Sequence, residues 1–180
     1  MIVEETYLSG CYVVTPKVLE DDRGYFYESF NKKKFHELTG ISVDFVQDNQ
    51  SKSSKGVLRG LHFQTGEFAQ AKLVRVLNGS VLDVCVDLRK DSSTFGKCYS
   101  IVLDSIKKNQ LYIPRGFAHG FLVLEDETVF SYKCDNYYNK TFETGIIYND
   151  SSLKIDWQLS ENDLILSEKD QQLPSFETYT

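Results

Sequence analysis

The stretch IPRGFAHGF, Ile113 to Phe121, has the apolar content of a buried strand, yet a proline, two glycines and a histidine interrupt it. Pro and Gly weaken a strand interior and belong at turns, bends or points of close backbone approach. A histidine among Phe, Ala, Leu and Val must find a partner or do chemistry. The same mixture recurs upstream in VLRGLHFQ, Val57 to Gln64. These two segments, each with glycine and one histidine, are the candidate strands around which the rest of the chain must be arranged.

Around them the sequence reads as many short strands separated by turn signals, the pattern of a sandwich or barrel. In AKLVRVLNGSVLDVCVDLR two alternating runs flank Asn78-Gly79, a strong signal for a two-residue hairpin. That turn would set Val76 opposite Val81, Val74 opposite Asp83 and Lys72 opposite Cys85. Lys72 and Asp83 then share a face with Val74, Val76, Val81 and Cys85. Leu73, Leu77, Leu82, Val84, Val86 and Leu88 share the other with Arg75. A Lys and an Asp among small apolar side chains suit a cavity wall, and an exposed ion pair suits the pattern equally well. One helix is predicted over NKKKFHELTG, with Asn31 as its cap, Phe35 and Leu38 on its apolar face and Gly40 as its stop. A second short helix falls within Asn162 to Gln172. His36, on the charged helix, reads as solvated.

A chain of 180 residues is most simply one domain, 1–180, with a real core. Its 41% hydrophobic and 13% aromatic content excludes disorder and leans towards strands. The net charge of -6 argues against a nucleic-acid binder, which would show a basic face. A small anionic ligand remains open to it, given a local cluster of Arg, Lys and His. No apolar run approaches the roughly 18 residues of a membrane span, and the acidic start MIVEETYLSG is not a signal peptide. Cys11, Cys85, Cys98 and Cys134 show no zinc spacing and fit buried, reduced thiols. A cytoplasmic protein is expected.

Pro114-Arg115-Gly116-Phe117-Ala118-His119 matches the PxGxxH half of the cupin signature. The resemblance implies a mainly β fold, the cupin double-stranded β-helix or jelly-roll-like barrel, with a few short helices. Pro114 and Gly116 would make a sharp turn into a strand that points His119 into the barrel. Metal-dependent cupins supply HxH in the first half, but residue 64 here is Gln. Two imidazoles without a third ligand do not make the usual catalytic site, so no metal is expected.

A more specific resemblance follows from segments in register: DDRGYFYESF, FVQDNQSKSSKGVLRGLHFQ, QAKLVRVLNGSVLDVCVDLRKDSSTFGK, IPRGFAHGFLVL, SYKCDNYY and LSEKD. Together they resemble the dTDP-4-dehydrorhamnose 3,5-epimerase family, cupins that use no metal or other cofactor, over nearly the whole chain. Members invert C3 and C5 of dTDP-4-dehydro-6-deoxy-D-glucose, both alpha to the C4 ketone, in dTDP-L-rhamnose synthesis. The resemblance implies His62 as general base, a task suited to imidazole, with Asp170 paired to it. It implies Lys72 beside the C4 oxygen and Tyr132 as the acid that returns a proton across the ring. Arg59 and His119 would stand near the diphosphate and sugar, with Gln47, Asn49 and Glu143 also lining the site. Arg23, Phe26 and Glu28 match residues that hold the nucleotide across a homodimer interface. Asp83 could orient His119 or Lys72, by its place in the alternating pattern.

Taken singly, each of these residues has an ordinary reading: a hydrogen-bonded core histidine, a strand tyrosine, a solvated aspartate. Their occurrence together is what favours the enzyme. Tyr137, Tyr138 and Trp157 read as packing residues. In a regular strand Arg59 and His62 would face opposite sides, so a local irregularity at Gly60 is expected. Departures from the family pattern at Phe63, Gln158 and Cys98-Tyr99 touch neither the acid, the base nor the oxygen partner. The alternative is a monofunctional 3- or 5-epimerase of a related nucleotide 4-keto sugar. A binding barrel without catalysis and a metal-dependent cupin are more distant rivals.

Overall fold

A computed structural model describes all 180 residues. The strands are β1 (Ile2–Glu5), β2 (Tyr12–Thr15), β3 (Leu19–Asp21), β4 (Gly24–Phe26), β5 (Gln47–Ser53), β6 (Leu58–Gln64), β7 (Lys72–Asn78), β8 (Ser80–Asp87), β9 (Cys98–Asp104), β10 (Gln110–Ile113), β11 (Phe117–Val123), β12 (Thr128–Cys134) and β13 (Glu143–Gly145). Two helices accompany them, α1 (Lys32–Thr39) and α2 (Glu168–Gln171). Six strands form one sheet in the order β1-β2-β10-β7-β12-β5, and five form a second in the order β13-β6-β11-β8-β9. All their pairings are antiparallel. From β5 to β13 the chain repeatedly crosses between the two sheets, as a cupin-like jelly roll requires.

The hairpin expected at Asn78-Gly79 is not formed. β7 pairs with β10 and β12, whereas β8 pairs with β11 and β9. Asn78-Gly79 is a corner between sheets, and Gly79 takes it at φ +80. The corner leans on the next turn, where Asn78 donates to the Glu127 carbonyl at 2.9 Å. The facing of each strand nevertheless follows its alternation. Val74, Val76, Val81 and Cys85 pack between the sheets with Phe117, Phe121 and Phe130. Leu82, Val84 and Val86 turn outward beneath the C-terminal segment, against Leu153, Trp157 and Phe176. Leu73 turns outward from the other sheet and packs under α1 with Phe35 and Tyr112. Each fully buried Leu or Phe contributes roughly 1.5–3 kcal/mol.

The opening stretch divides as its residues demand. Pro114 and Gly116 form the corner between β10 and β11, with Gly116 at φ +84. Gly120 serves close approach: a Cβ there would stand 2.8 Å from the Arg59 carbonyl oxygen. α1 starts where Asn31 accepts from the Lys34 N–H at 3.0 Å and stops at Gly40 in the left-handed region. Phe35 is buried, but Leu38 is exposed, so the apolar face of α1 is one residue wide. His36 is solvated as read. The second helix shrinks to the single turn of α2, preceded by a 3-10 turn at Glu161–Asp163. Tyr137 and Tyr138 are exposed and not packing residues, whereas Trp157 is buried and donates to the Tyr148 carbonyl at 2.9 Å. Three of the four cysteines are buried and all are free thiols. No helix is long and apolar enough to cross a membrane.

Candidate active site

The irregularity expected at Gly60 sets the geometry of the site. Along β11 the pairing steps from His119 to Phe121, while along β6 it steps from His62 to Arg59. Gly60 and Leu61 on β6 therefore oppose Gly120 alone on β11, which is a bulge. Gly60 sits in it at φ +116, next to a cis Gly60–Leu61 peptide. The bulge resets the alternation: Leu58 and Leu61 both pack outward, and Arg59 and His62 both line the inner cavity.

That cavity has a volume of about 690 Å³ and receives Asn49 from β5, Arg59 and His62 from β6, Lys72 from β7, His119 from β11 and Tyr132 from β12. Asp170 enters from α2. His62 lies on the five-stranded sheet and Tyr132 on the six-stranded sheet, so imidazole and phenol stand on opposing walls. His62 Nε2 and Asp170 Oδ1 are 2.5 Å apart, and Asp170 is 4% exposed. With Nε2–H donating to the carboxylate, the lone pair of Nδ1 stays free. Burial pushes the Asp170 carboxyl up, but its hydrogen bonds with His62 and Ser167 and the charge of Lys169 reverse this, and the net direction is downward.

The Lys72 side chain has no hydrogen bond or ion pair within the chain, and its ammonium lies 5.8 Å from the centre of the Tyr132 ring. Burial drives its pKa below the ordinary lysine value, partly offset by Cys134, Asp83 and Glu143. Burial likewise raises Tyr132, so the phenol keeps its proton at neutral pH. Deeper in the barrel a second pair forms, with His119 Nε2 2.9 Å from Asp83 Oδ2. Burial lowers His119 despite the carboxylate beside it. Asp83 thus orients His119, and its Oδ1 is buried without a partner.

Gln47 and Glu143 line a smaller adjoining cavity of about 230 Å³ that shares Asn49, His62, Lys72 and Tyr132. Gln47 donates to Asn49 Oδ1 at 3.0 Å. Burial raises Glu143, but hydrogen bonds from Lys169 and Tyr138 overcome it and its carboxyl is held low. Gln64, at the position of a second cupin histidine, borders the smaller cavity with its amide tied to the backbone. Its amide nitrogen donates to the Phe68 and Tyr137 carbonyls and its oxygen accepts from the Asn139 N–H. The structure does not bring Arg23, Phe26 or Glu28 to this cavity. Arg23 and Phe26 are exposed on the β3–β4 hairpin, Arg23 paired with Asp21, and Glu28 pairs with Lys34.

The sequence reading missed three residues. Tyr138 donates to Glu143 Oε2 at 2.9 Å and Lys169 reaches the same oxygen at 2.5 Å. Ser167 accepts from the Asp170 N–H at 3.1 Å. Only Ser167 left a trace in the sequence, as the first residue of a Ser-x-x-Asp helix start. Lys169 and Tyr138 meet through Glu143, and no local pattern encodes that.

Two opposing sheets, a histidine–carboxylate pair and an unpaired ammonium around one cavity define a cupin-like barrel equipped as an enzyme. The sequence model of the dTDP-4-dehydrorhamnose 3,5-epimerase family matches residues 5–178. The chain is 52% identical to the dTDP-4-dehydrorhamnose 3,5-epimerase of Escherichia coli K12, over 96% of this chain and 93% of that protein. The crystal structure of the epimerase from Elizabethkingia anophelis NUHP1 is 60% identical and superposes with a TM-score of 0.96, covering 99% of this chain and 97% of that one. A 3,5-epimerase from Legionella pneumophila Philadelphia 1, solved with dTDP-4-keto-L-rhamnose, is 46% identical with a TM-score of 0.94, covering 99% and 94%. The chain belongs to the dTDP-4-dehydrorhamnose 3,5-epimerase family, a family of isomerases.

Proposed function

We propose that the chain, acting as one domain over 1–180, inverts C3 and C5 of dTDP-4-dehydro-6-deoxy-D-glucose. The observation that carries this reading is the placement of His62 and Tyr132 on opposing walls of one cavity. Inversion at carbon needs a proton removed from one face and another delivered to the opposite face. His62 Nδ1 takes the proton from C3 or C5, and the C–H electron pair moves into the ring to give the C4 enolate. Asp170 stabilises the imidazolium formed. Lys72 holds the negative enolate oxygen. Tyr132 then gives its proton to the far face of the carbon, the C4 ketone re-forms, and solvent restores both groups. The ketone of the substrate makes both carbons acidic, so the reaction uses side chains alone.

Arg59 suits a diphosphate as a charged fork, and His119, Gln47, Asn49 and Glu143 border the sugar. Arg23, Phe26 and Glu28 do not line the cavity of their own chain. They are supplied to a neighbour in a homodimer, which works on a nucleotide sugar in the cytoplasm.

Two arms of one experiment test this. Steady-state turnover of the keto sugar by His62→Ala should fall by roughly 10²–10⁴. Mixing and reassembling His62→Ala with Arg23→Ala subunits should recover turnover, because a mixed dimer holds one intact site. Parental turnover in His62→Ala overturns the base. No recovery on mixing overturns the shared site.

A further inference from the structure

Asp170, unlike His62, Lys72, His119 and Tyr132, stands on no barrel strand. It is delivered by a strap, residues 163–174, laid along β6 and β13. The strap is fastened at its start, where Ile165 N–H donates to the Gly56 carbonyl at 2.8 Å and its own carbonyl accepts from Leu58 N–H at 3.0 Å. It is fastened at its end, where Pro174 O accepts from Ile147 N–H at 2.9 Å. Between these points the direction of the carboxylate depends on α2, which is four residues long. A helix that short has no stability of its own, so its geometry comes from what starts it. Ser167 starts it: the backbone there is extended, at φ -73 and ψ 155, and the side chain accepts from the Asp170 N–H at 3.1 Å. The residue whose carboxylate meets His62 is therefore the residue whose amide is held by the serine. Ser167 also lines the cavity.

We propose that Ser167 is a positioning residue for catalysis: its hydroxyl fixes the turn that holds Asp170 against His62. The inference rests on the His62–Asp170 reading given above. Threonine preserves the capping oxygen, alanine and glycine remove it, and glycine is nearly as well tolerated at a helix start as the natural caps. Ser167→Ala and Ser167→Gly should lose roughly ten- to a hundredfold in kcat, the scale for a misplacement of about an ångström, with KM within about twofold of the parent. Ser167→Thr should recover most of the loss. Thermal melting run alongside identifies folded variants; if the alanine form does not fold, the glycine form decides. The proposal is overturned if a folded Ser167→Gly or Ser167→Ala turns over at the parental rate, or if KM rises while kcat holds. It is also overturned if folded Ser167→Thr is as slow as the alanine form. His62→Ala measured in the same series separates the two failures. If it is inactive while Ser167→Ala is fully active, only the positioning role falls; if it is active, the base assignment itself falls.

Discussion

Lys72 is the residue whose surroundings most clearly ask for a ligand. A half-buried ammonium left without a carboxylate partner is costly, and this one lines the cavity together with His62 and Tyr132. An enolate oxygen placed there would supply the missing charge. Lys72→Met should therefore lower kcat by about 10²–10³, the usual loss for one oxyanion donor, with a smaller change in KM. The pH dependence follows from the direction of its shift. Burial lowers the Lys72 pKa, so the ammonium is lost as pH rises through a value below the ordinary lysine range. Activity should fall on the alkaline side before the ordinary lysine range is reached. Lys72→Arg, charged throughout, should flatten that limb in a kcat–pH profile, even if its turnover is lower. A limb unchanged in the arginine variant would assign it to another group.

At the scale of elements, the bulge in β6 joins fold to site. A Cβ on Gly60 would stand 2.6 Å from Gly120 Cα and 2.7 Å from the His119 carbonyl oxygen, at a φ that side chains rarely adopt. Gly60→Ala should cost about 3 kcal/mol, read from the midpoint of denaturant unfolding, and should reduce activity because Arg59 and His62 lose their common facing. A variant as stable and as fast as the parent would show that the bulge is not needed. The need for this bulge was legible in the sequence, because Arg59 and His62 could not share a cavity in a regular strand. Alternation also put Lys72 and Asp83 on the face of Val74, Val76, Val81 and Cys85, since a period of two is fixed by the backbone alone, and left open whether that face was buried. It could not name partner strands. Asn-Gly supplies a positive φ equally well to a hairpin and to a corner between sheets, and what chose the corner is contact with the turn at Glu127, far along the chain. For the same reason Leu38, Tyr137 and Tyr138 looked like packing residues and are exposed.

Over the whole molecule the net charge is -6, yet Arg59, Lys72, Lys169, His62 and His119 gather at one cavity. This is the local reversal that an anionic sugar nucleotide requires of an acidic protein. In the proposed reaction the two sheets set the stereochemistry, because one wall carries the imidazole of His62 and the other the phenol of Tyr132. The proposed catalytic set, which the structure gathers at one cavity, could be assembled from sequence because its members lie in segments in register with a known family. The strap and its Lys169–Glu143 tie escaped, because they exist only once α2 lies against β13. The central claim is that protons leave one face of the keto sugar and return to the other at both carbons beside the ketone. Proton NMR of dTDP-4-dehydro-6-deoxy-D-glucose turned over by this protein in heavy water tests it directly. Solvent deuterium should appear at C3 and at C5, with both centres inverted. Deuterium at one carbon alone would make the chain a monofunctional epimerase, and deuterium at neither would contradict the account.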